Sequence, residues 1–259
     1  MAIPVGVQLY SVRDDCKNDL PGTLAALAKM GYQGVEWAGY FGGLAAADLR
    51  KMLDDLGLKS AGTHTGLQTL QGDELARTVE FNQILGNRYL IVPGLPGDIR
   101  KAGPKAWREV AHQLDQAAGK VAYANMRVGY HCHAVDFDRV EGQTVWDTLA
   151  TTTSRQVVMQ LDTGNAVQGG QDAVACLKRY PGRAGTVHLK GINRNPAVKD
   201  GWEWTYAGEG NAIVWPEVFD FCKTAGATEW YIVEHEEYPI PPLECVKRCL
   251  TSLRKFLVV

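Results

Sequence analysis

An excess of charge of either sign is missing from this chain: 27 Lys and Arg stand against 29 Asp and Glu among 259 residues, a formal net charge of −2. The balance excludes a broad basic surface for nucleic acid and leaves a small neutral or anionic molecule as the easier partner. No apolar run approaches the length needed to cross a bilayer. The N-terminus, MAIPVGVQLYSVRDD, has no basic segment followed by an apolar core. There is no CxxC pair among the six cysteines, and their spacing does not describe a stapled scaffold. They read as reduced thiols, so the expectation is an untargeted cytoplasmic protein with no membrane contact. No linker or low-complexity segment interrupts the chain, which is expected to form one domain over residues 1–259.

What the sequence does have is alternation. Apolar runs rich in Val, Ile and Tyr take turns with amphipathic stretches rich in Ala, Leu, Lys and Glu, the pattern of parallel strands joined by crossover helices. The strand candidates are VGVQLY from Val5, GVEWA from Gly34, KSAGTH from Lys59, YLIVPG from Tyr89, RVGYHCH from Arg127, VVMQLD from Val157, GTVHLK from Gly185 and WYIVEH from Trp230. Their spacing averages about 32 residues, one strand plus one helix. Helix candidates such as LPGTLAALAKMG, LAAADLRKMLDDLG and WPEVFDFCKTAG each close on a glycine able to take the left-handed C-cap conformation. Eight such units closing on themselves make a (β/α)8 TIM barrel; an open, doubly wound α/β sheet is the other arrangement of the same elements. Ile192 to Asn211 is the longest stretch without periodicity and reads as a functional or mobile loop. Its Trp202 and Trp204 are suited either to stacking on a sugar or to packing the loop.

Strands buried on both faces should be almost wholly apolar, yet seven of the eight carry polar residues near their C-terminal ends. These are Gln8, Glu36, His64, His131 with His133, Asp162, His188 with Lys190, and Glu234. In a barrel all those ends open on the rim where active sites are built. The last four strands supply His133, Asp162, His188 and Glu234, two imidazoles and two carboxylates that suit one divalent ion such as Mn, Co, Zn, Fe or Ni. Each has an ordinary reading when taken singly: a hydrogen-bonded core histidine, an Asp before TGN that caps a helix, a Glu opening an acidic loop. Four successive strand ends make the metal the stronger expectation.

GVQLYSVRD, GYQGVEWAG, GYHCHAVDF, QLDTGNA, VHLKG, GEGNAIVWPEVF and YIVEHEE together resemble the sugar phosphate isomerase/epimerase superfamily, the xylose isomerase-like barrels. The resemblance spans nearly the whole chain. It implies a metal held by Glu, Asp, His and Glu from strands five to eight, with the two glutamates as acid and base. Asp162, His188 and Glu234 match three of those places, whereas His133 stands at the first; the nearest carboxylate is Asp136, which alternation turns to the other side. That departure points to the branch resembling inosose dehydratases and 3-keto-glycoside lyases or hydratases.

The activity implied is removal of a proton beside the carbonyl of a keto sugar or keto polyol, with the metal stabilising the enediolate. It serves an isomerase or epimerase, or alternatively an inosose or 3-keto-glycoside lyase. Glu234 and His131 are the candidate catalytic groups; Gln8, Glu36, His64, Lys190, Glu209 and Trp204 are the candidate substrate-binding residues. Two other classes compete. An endonuclease IV-like nuclease needs several zinc ions and a DNA groove, but His112 lies in a helix pattern and alternation turns His235 outward. A non-catalytic carbohydrate-binding barrel remains compatible. The oligomeric state is open between a monomer and a homo-oligomer.

Overall fold

The computed structural model describes residues 2–257. All eight expected strands are present: β1 (Val5–Gln8), β2 (Gly34–Trp37), β3 (Lys59–His64), β4 (Tyr89–Val92), β5 (Arg127–His131), β6 (Val158–Gln160) and β7 (Thr186–Leu189), followed after an inserted pair by β10 (Trp230–Val233). They form one parallel sheet in the order β6, β5, β4, β3, β2, β1, β10, β7. The ring closes between its ends, where His188 N–H donates to Leu161 O (2.9 Å) and Asp162 bridges to His188. The fold is a TIM barrel, and two of the expected site residues lie on its closing seam.

Helices cover the outside because each carries an apolar stripe at helical spacing. The helix Pro104–Val121 buries Trp107, Val110, Ala111, Leu114, Ala117, Ala118 and Val121. Against this layer lie the outward residues of the strands, among them Val7, Val35, Leu90, Val128, Tyr130 and Val187, and together they make the main core. Gly31 (φ 101°) and Gly57 (φ 68°) take the left-handed turn expected after their helices. Gly226 does not. After the helix Trp215–Thr224 the positive φ belongs to Ala227 (55°), and Gly226 is needed for space: a Cβ there would lie 2.7 Å from Thr228 Oγ1 and 3.0 Å from Cys222 Cα.

The stretch after β7, expected to be a loop, is instead an antiparallel ribbon of β8 (Gly191–Arg194) and β9 (Trp202–Thr205), pairing Ile192 with Trp204 and Arg194 with Trp202. Four-residue strands are too short to show alternation in a sequence, and half of this pair's residues are only half-buried. All six cysteines are buried free thiols. Among the described residues no helix is long and apolar enough to cross a membrane.

Candidate active site

Four ligand-type side chains meet inside the upper end of the barrel: His131 (β5), Asp162 (just after β6), His188 (β7) and Glu234 (just after β10) each offer one atom, all within 4.8 Å of one another. Every one is buried. His188 Nδ1 lies 3.1 Å from Glu234 Oε2 and 3.9 Å from Asp162 Oδ2. Asp162 is both cap and site residue. Its Oδ1 accepts from Asn165 N–H (2.7 Å) at the start of the helix Thr163–Gln168, while Oδ2 is buried without a hydrogen-bond partner. A buried carboxylate oxygen without a hydrogen-bond partner, facing an imidazole and a second carboxylate, is a place a cation would satisfy, and the mixed N and O donor set fits a divalent ion of borderline hardness.

Three of the four expected metal ligands are therefore in this cluster, and His133 is not. β5 ends at His131, and His133 begins a short 3₁₀ turn, Ala134–Phe137, that carries the chain away over the rim. Its exposed ring sits one layer above His131, with centroids 5.0 Å apart. The shared side expected from strand alternation is found, but the deeper imidazole joins the cluster. Asp136 is engaged elsewhere: it accepts from Tyr130 OH (3.0 Å), His133 N–H (2.9 Å) and Arg100 Nε (3.2 Å).

Beside the cluster, at the same level of the barrel, lie residues that were expected to touch substrate and are instead taken up by protein partners. Glu36 is completely buried. Its Oε2 receives His188 Nε2 (2.6 Å), Gln8 Nε2 (2.8 Å) and His64 Nε2 (3.1 Å), and its Oε1 receives Gln160 Nε2 (2.8 Å). A carboxylate that orients the imidazole of a metal ligand through its far nitrogen is the usual outer support of such sites. Gln8 is fully buried too, with Oε1 accepting from Tyr10 N–H (3.1 Å). His64 stays half-buried and stacks on His188 at 5.4 Å, so it alone of these three reaches toward the mouth.

Electrostatics follow the same division. Burial disfavours charge on Glu36, but His64 and His188 hold its carboxyl well below the usual range. Burial would also depress His188, yet the Glu36 and Glu234 carboxylates keep it up at about 10. Burial pushes Asp162 up to about 7 against the pull of Lys190. His131, desolvated and beside His188 and His64, is pushed well below the ordinary imidazole value and stays neutral.

Lys190 is buried between Glu234 (3.9 Å) and Glu236, with its ammonium 4.6 Å from the centre of the Trp204 ring. Trp204 therefore spends one face on a cation of the site wall. Glu209 is turned away altogether: Arg248 donates to it twice (3.0 and 2.8 Å) and Ser252 once (2.6 Å), pinning it to the helix Pro242–Leu257. His112 is exposed on its helix, and His235 is buried against the Tyr206 ring at 5.0 Å rather than turned to solvent. A cavity of about 600 Å³ on the same rim is lined by His133, Arg100 and Asn165 with Leu67, Val92 and Pro93, and it meets the cluster through His133 rather than through the four ligand-type side chains themselves. That volume suits a sugar-sized ligand.

A family model described as xylose isomerase-like TIM barrel matches residues 24–256. The chain belongs to this family. Among curated relatives of this xylose isomerase-like barrel is an inosose dehydratase from Geobacillus kaustophilus (strain HTA426), 26% identical over 86% of this chain and 84% of the relative. An inosose dehydratase from Bacillus anthracis is 29% identical, but the match covers 51% of this chain and about half, 48%, of that protein. The barrel is also similar to a crystal structure of a sugar phosphate isomerase/epimerase from Parabacteroides distasonis ATCC 8503, with a TM-score of 0.81, 22% identity, and 99% of this chain and 100% of that one covered. The IOLI protein, solved with a bound zinc atom, superposes with a TM-score of 0.71 at 15% identity, covering 98% of each chain.

Proposed function

We propose that this barrel is a metal-dependent enzyme that removes the proton beside the carbonyl of a small keto polyol. Elimination of water is the reaction favoured over isomerisation or epimerisation. The observation that carries the reading is the buried set of His131, Asp162, His188 and Glu234, with Asp162 Oδ2 left unpartnered. Similarity to an inosose dehydratase and to a barrel of the same fold solved with zinc supports it. When bound, a divalent ion supplies a Lewis acid for the ketone oxygen and a neighbouring hydroxyl, stabilising the negative charge that grows as the proton leaves.

The chain's own groups do the rest. Glu234 would give one carboxylate oxygen to the ion and keep the other to take the proton from carbon. Lys190, held above its ordinary value by Glu234, Asp162 and Glu236 although burial opposes this, stays an ammonium and donates to substrate hydroxyls. His133, at the cavity wall, passes a solvent proton to the departing hydroxyl, although burial lowers its own hold on that proton. Elimination is preferred because His131 stands among the ligands where a second carboxylate base is needed to work both faces of a planar enediolate. With His131 among the ligands, proton removal is assigned to Glu234 alone. The buried free thiols accord with a cytoplasmic enzyme.

The test incubates zinc- or manganese-loaded protein with an inosose in heavy water. Metal-dependent deuterium uptake at the α-carbon with loss of water is the expected result. Rapid C3 epimerisation of a ketohexose with no action on the inosose would overturn the preference for elimination. A sugar bound without any exchange would make this a binding barrel.

A further inference from the structure

The hydrogen bonds around Glu36 have a direction, and that direction reaches the imidazole at the centre of the cluster. An ionised carboxylate only accepts, so every group at Glu36 must donate to it. Gln160 therefore turns Nε2 toward Glu36 (2.8 Å) and Thr186 Oγ1 (2.7 Å). Its Oε1 faces the other way, where it meets His64 Nε2 (3.0 Å) and His131 Nδ1 (3.0 Å). An amide oxygen also only accepts, so both of those ring nitrogens carry protons. A neutral imidazole has one N–H, and His131 is left with its lone pair on Nε2. Gln8 completes the circuit: Tyr10 N–H fixes its Oε1, so its Nε2 points at Glu36 and at His64 Nδ1 (3.3 Å).

We propose that Glu36 and Gln160 are positioning residues that set the tautomer of His131, so that Nε2 is the nitrogen it offers to a divalent ion. The proposal rests on the metal reading above and adds residues that take no part in binding the ion. Local backbone geometry is arranged for it. The pairing of β2 with β3 slips by one residue between Val35 and Glu36, an irregularity of the kind that re-aims a side chain beside an active site. Opposite stands Gly62, where a Cβ would lie 2.6 Å from Glu36 Oε1. Gln160 is completely buried and uses both its N–H groups and its oxygen within this network.

The test reads the tautomer directly in metal-free protein. Proton–nitrogen correlation spectra of protein labelled with heavy nitrogen in histidine distinguish Nδ1–H from Nε2–H rings, with His131 assigned by its loss in His131→Gln. Wild type should show His131 as Nδ1–H. In Glu36→Gln, where Gln160 is free to turn over, and in Gln160→Leu, where the acceptor is gone, His131 should shift toward Nε2–H, with zinc affinity falling about tenfold or more. His131 as Nε2–H in wild type, or as Nδ1–H in both variants, would overturn the relay, and the wild-type spectrum alone suffices if a variant does not fold. Wild type with the Nδ1–H ring but no affinity for zinc would instead overturn the metal reading, and with it the purpose assigned to the relay.

Discussion

The lower and upper halves of the barrel interior are built from the same strands, two residues apart, and their chemistry is opposite. Low in the barrel, Gly6, Gly34, Gly129 and Thr186 alternate with Tyr89, Ile91, Val158 and Trp230, and a small apolar plug forms apart from the main core. Two residues further along the same strands come Gln8, Glu36, His131, His188 and Gln160, every one buried and hydrogen-bonded. Large apolar side chains opposite glycines fill the bottom with few polar groups, as close packing requires. The top buries charges, each of which loses several kcal/mol of hydration on leaving water. A fold able to make the apolar version on the same strands has no stability reason to make the polar one, so the upper layer is read as function and the lower as support.

That contrast is broken most severely from above. His188→Ala should lower zinc affinity by about 100-fold or more, since it removes a ligand and strands Glu36, while far-ultraviolet circular dichroism stays that of the barrel. Equilibrium dialysis with zinc measures it; unchanged affinity would mean the upper layer is structural. Breaking the lower layer should do the reverse. A Cβ at Gly129 would lie 2.6 Å from Ile91 Cδ1 and 2.8 Å from Val158 Cβ and O. Gly129→Ala should therefore cost about 1–3 kcal/mol in denaturant unfolding, with zinc affinity changed by less than about twofold. Gly62→Ala sharpens the comparison at the boundary, because its Cβ meets Glu36 Oε1, an end of a side chain already held by four donors. Zinc affinity should drop about tenfold, a larger effect than on unfolding.

The smallest effect lies outside both layers. Arg248 and Ser252 hold the Glu209 carboxyl below its usual range, with burial opposing. A folded value below the unfolded one gives stability that is complete above the unfolded carboxylate value of about 4.3 and is lost as pH falls through the depressed folded value. Glu209→Gln should flatten that acid limb of the stability profile and leave zinc binding unchanged. Unfolding curves collected down the acid range check it, and an unaltered slope would contradict the assignment.

Legibility in the sequence divides along physical lines. The eight strands could be read because each is a short apolar run between helical patterns, and the polar cluster could be read because polar residues fall at strand ends. His131 and His133 could not be ranked, since alternation gives the side a residue faces but not where a strand stops, and β5 stops at His131. Gln160 does not stand out within VVMQLD, two residues before the more conspicuous Asp162, because an amide shows its importance only through the partners that surround it. The supporting place of Glu36 is hidden for the same reason: neither the slip between β2 and β3 nor the space at Gly62 leaves a mark on one sequence. Glu209 lay in a segment without periodicity, and its tie to Arg248 and Ser252 spans about forty residues of chain.

The chemistry of the site turns on which of two neighbouring histidines reaches the cation. Zinc bound per chain, measured by metal analysis after dialysis of wild type, His131→Ala and His133→Ala, decides it. One zinc in wild type and in His133→Ala, with most of it lost in His131→Ala, is the predicted result. Zinc retained by His131→Ala and lost by His133→Ala would contradict it.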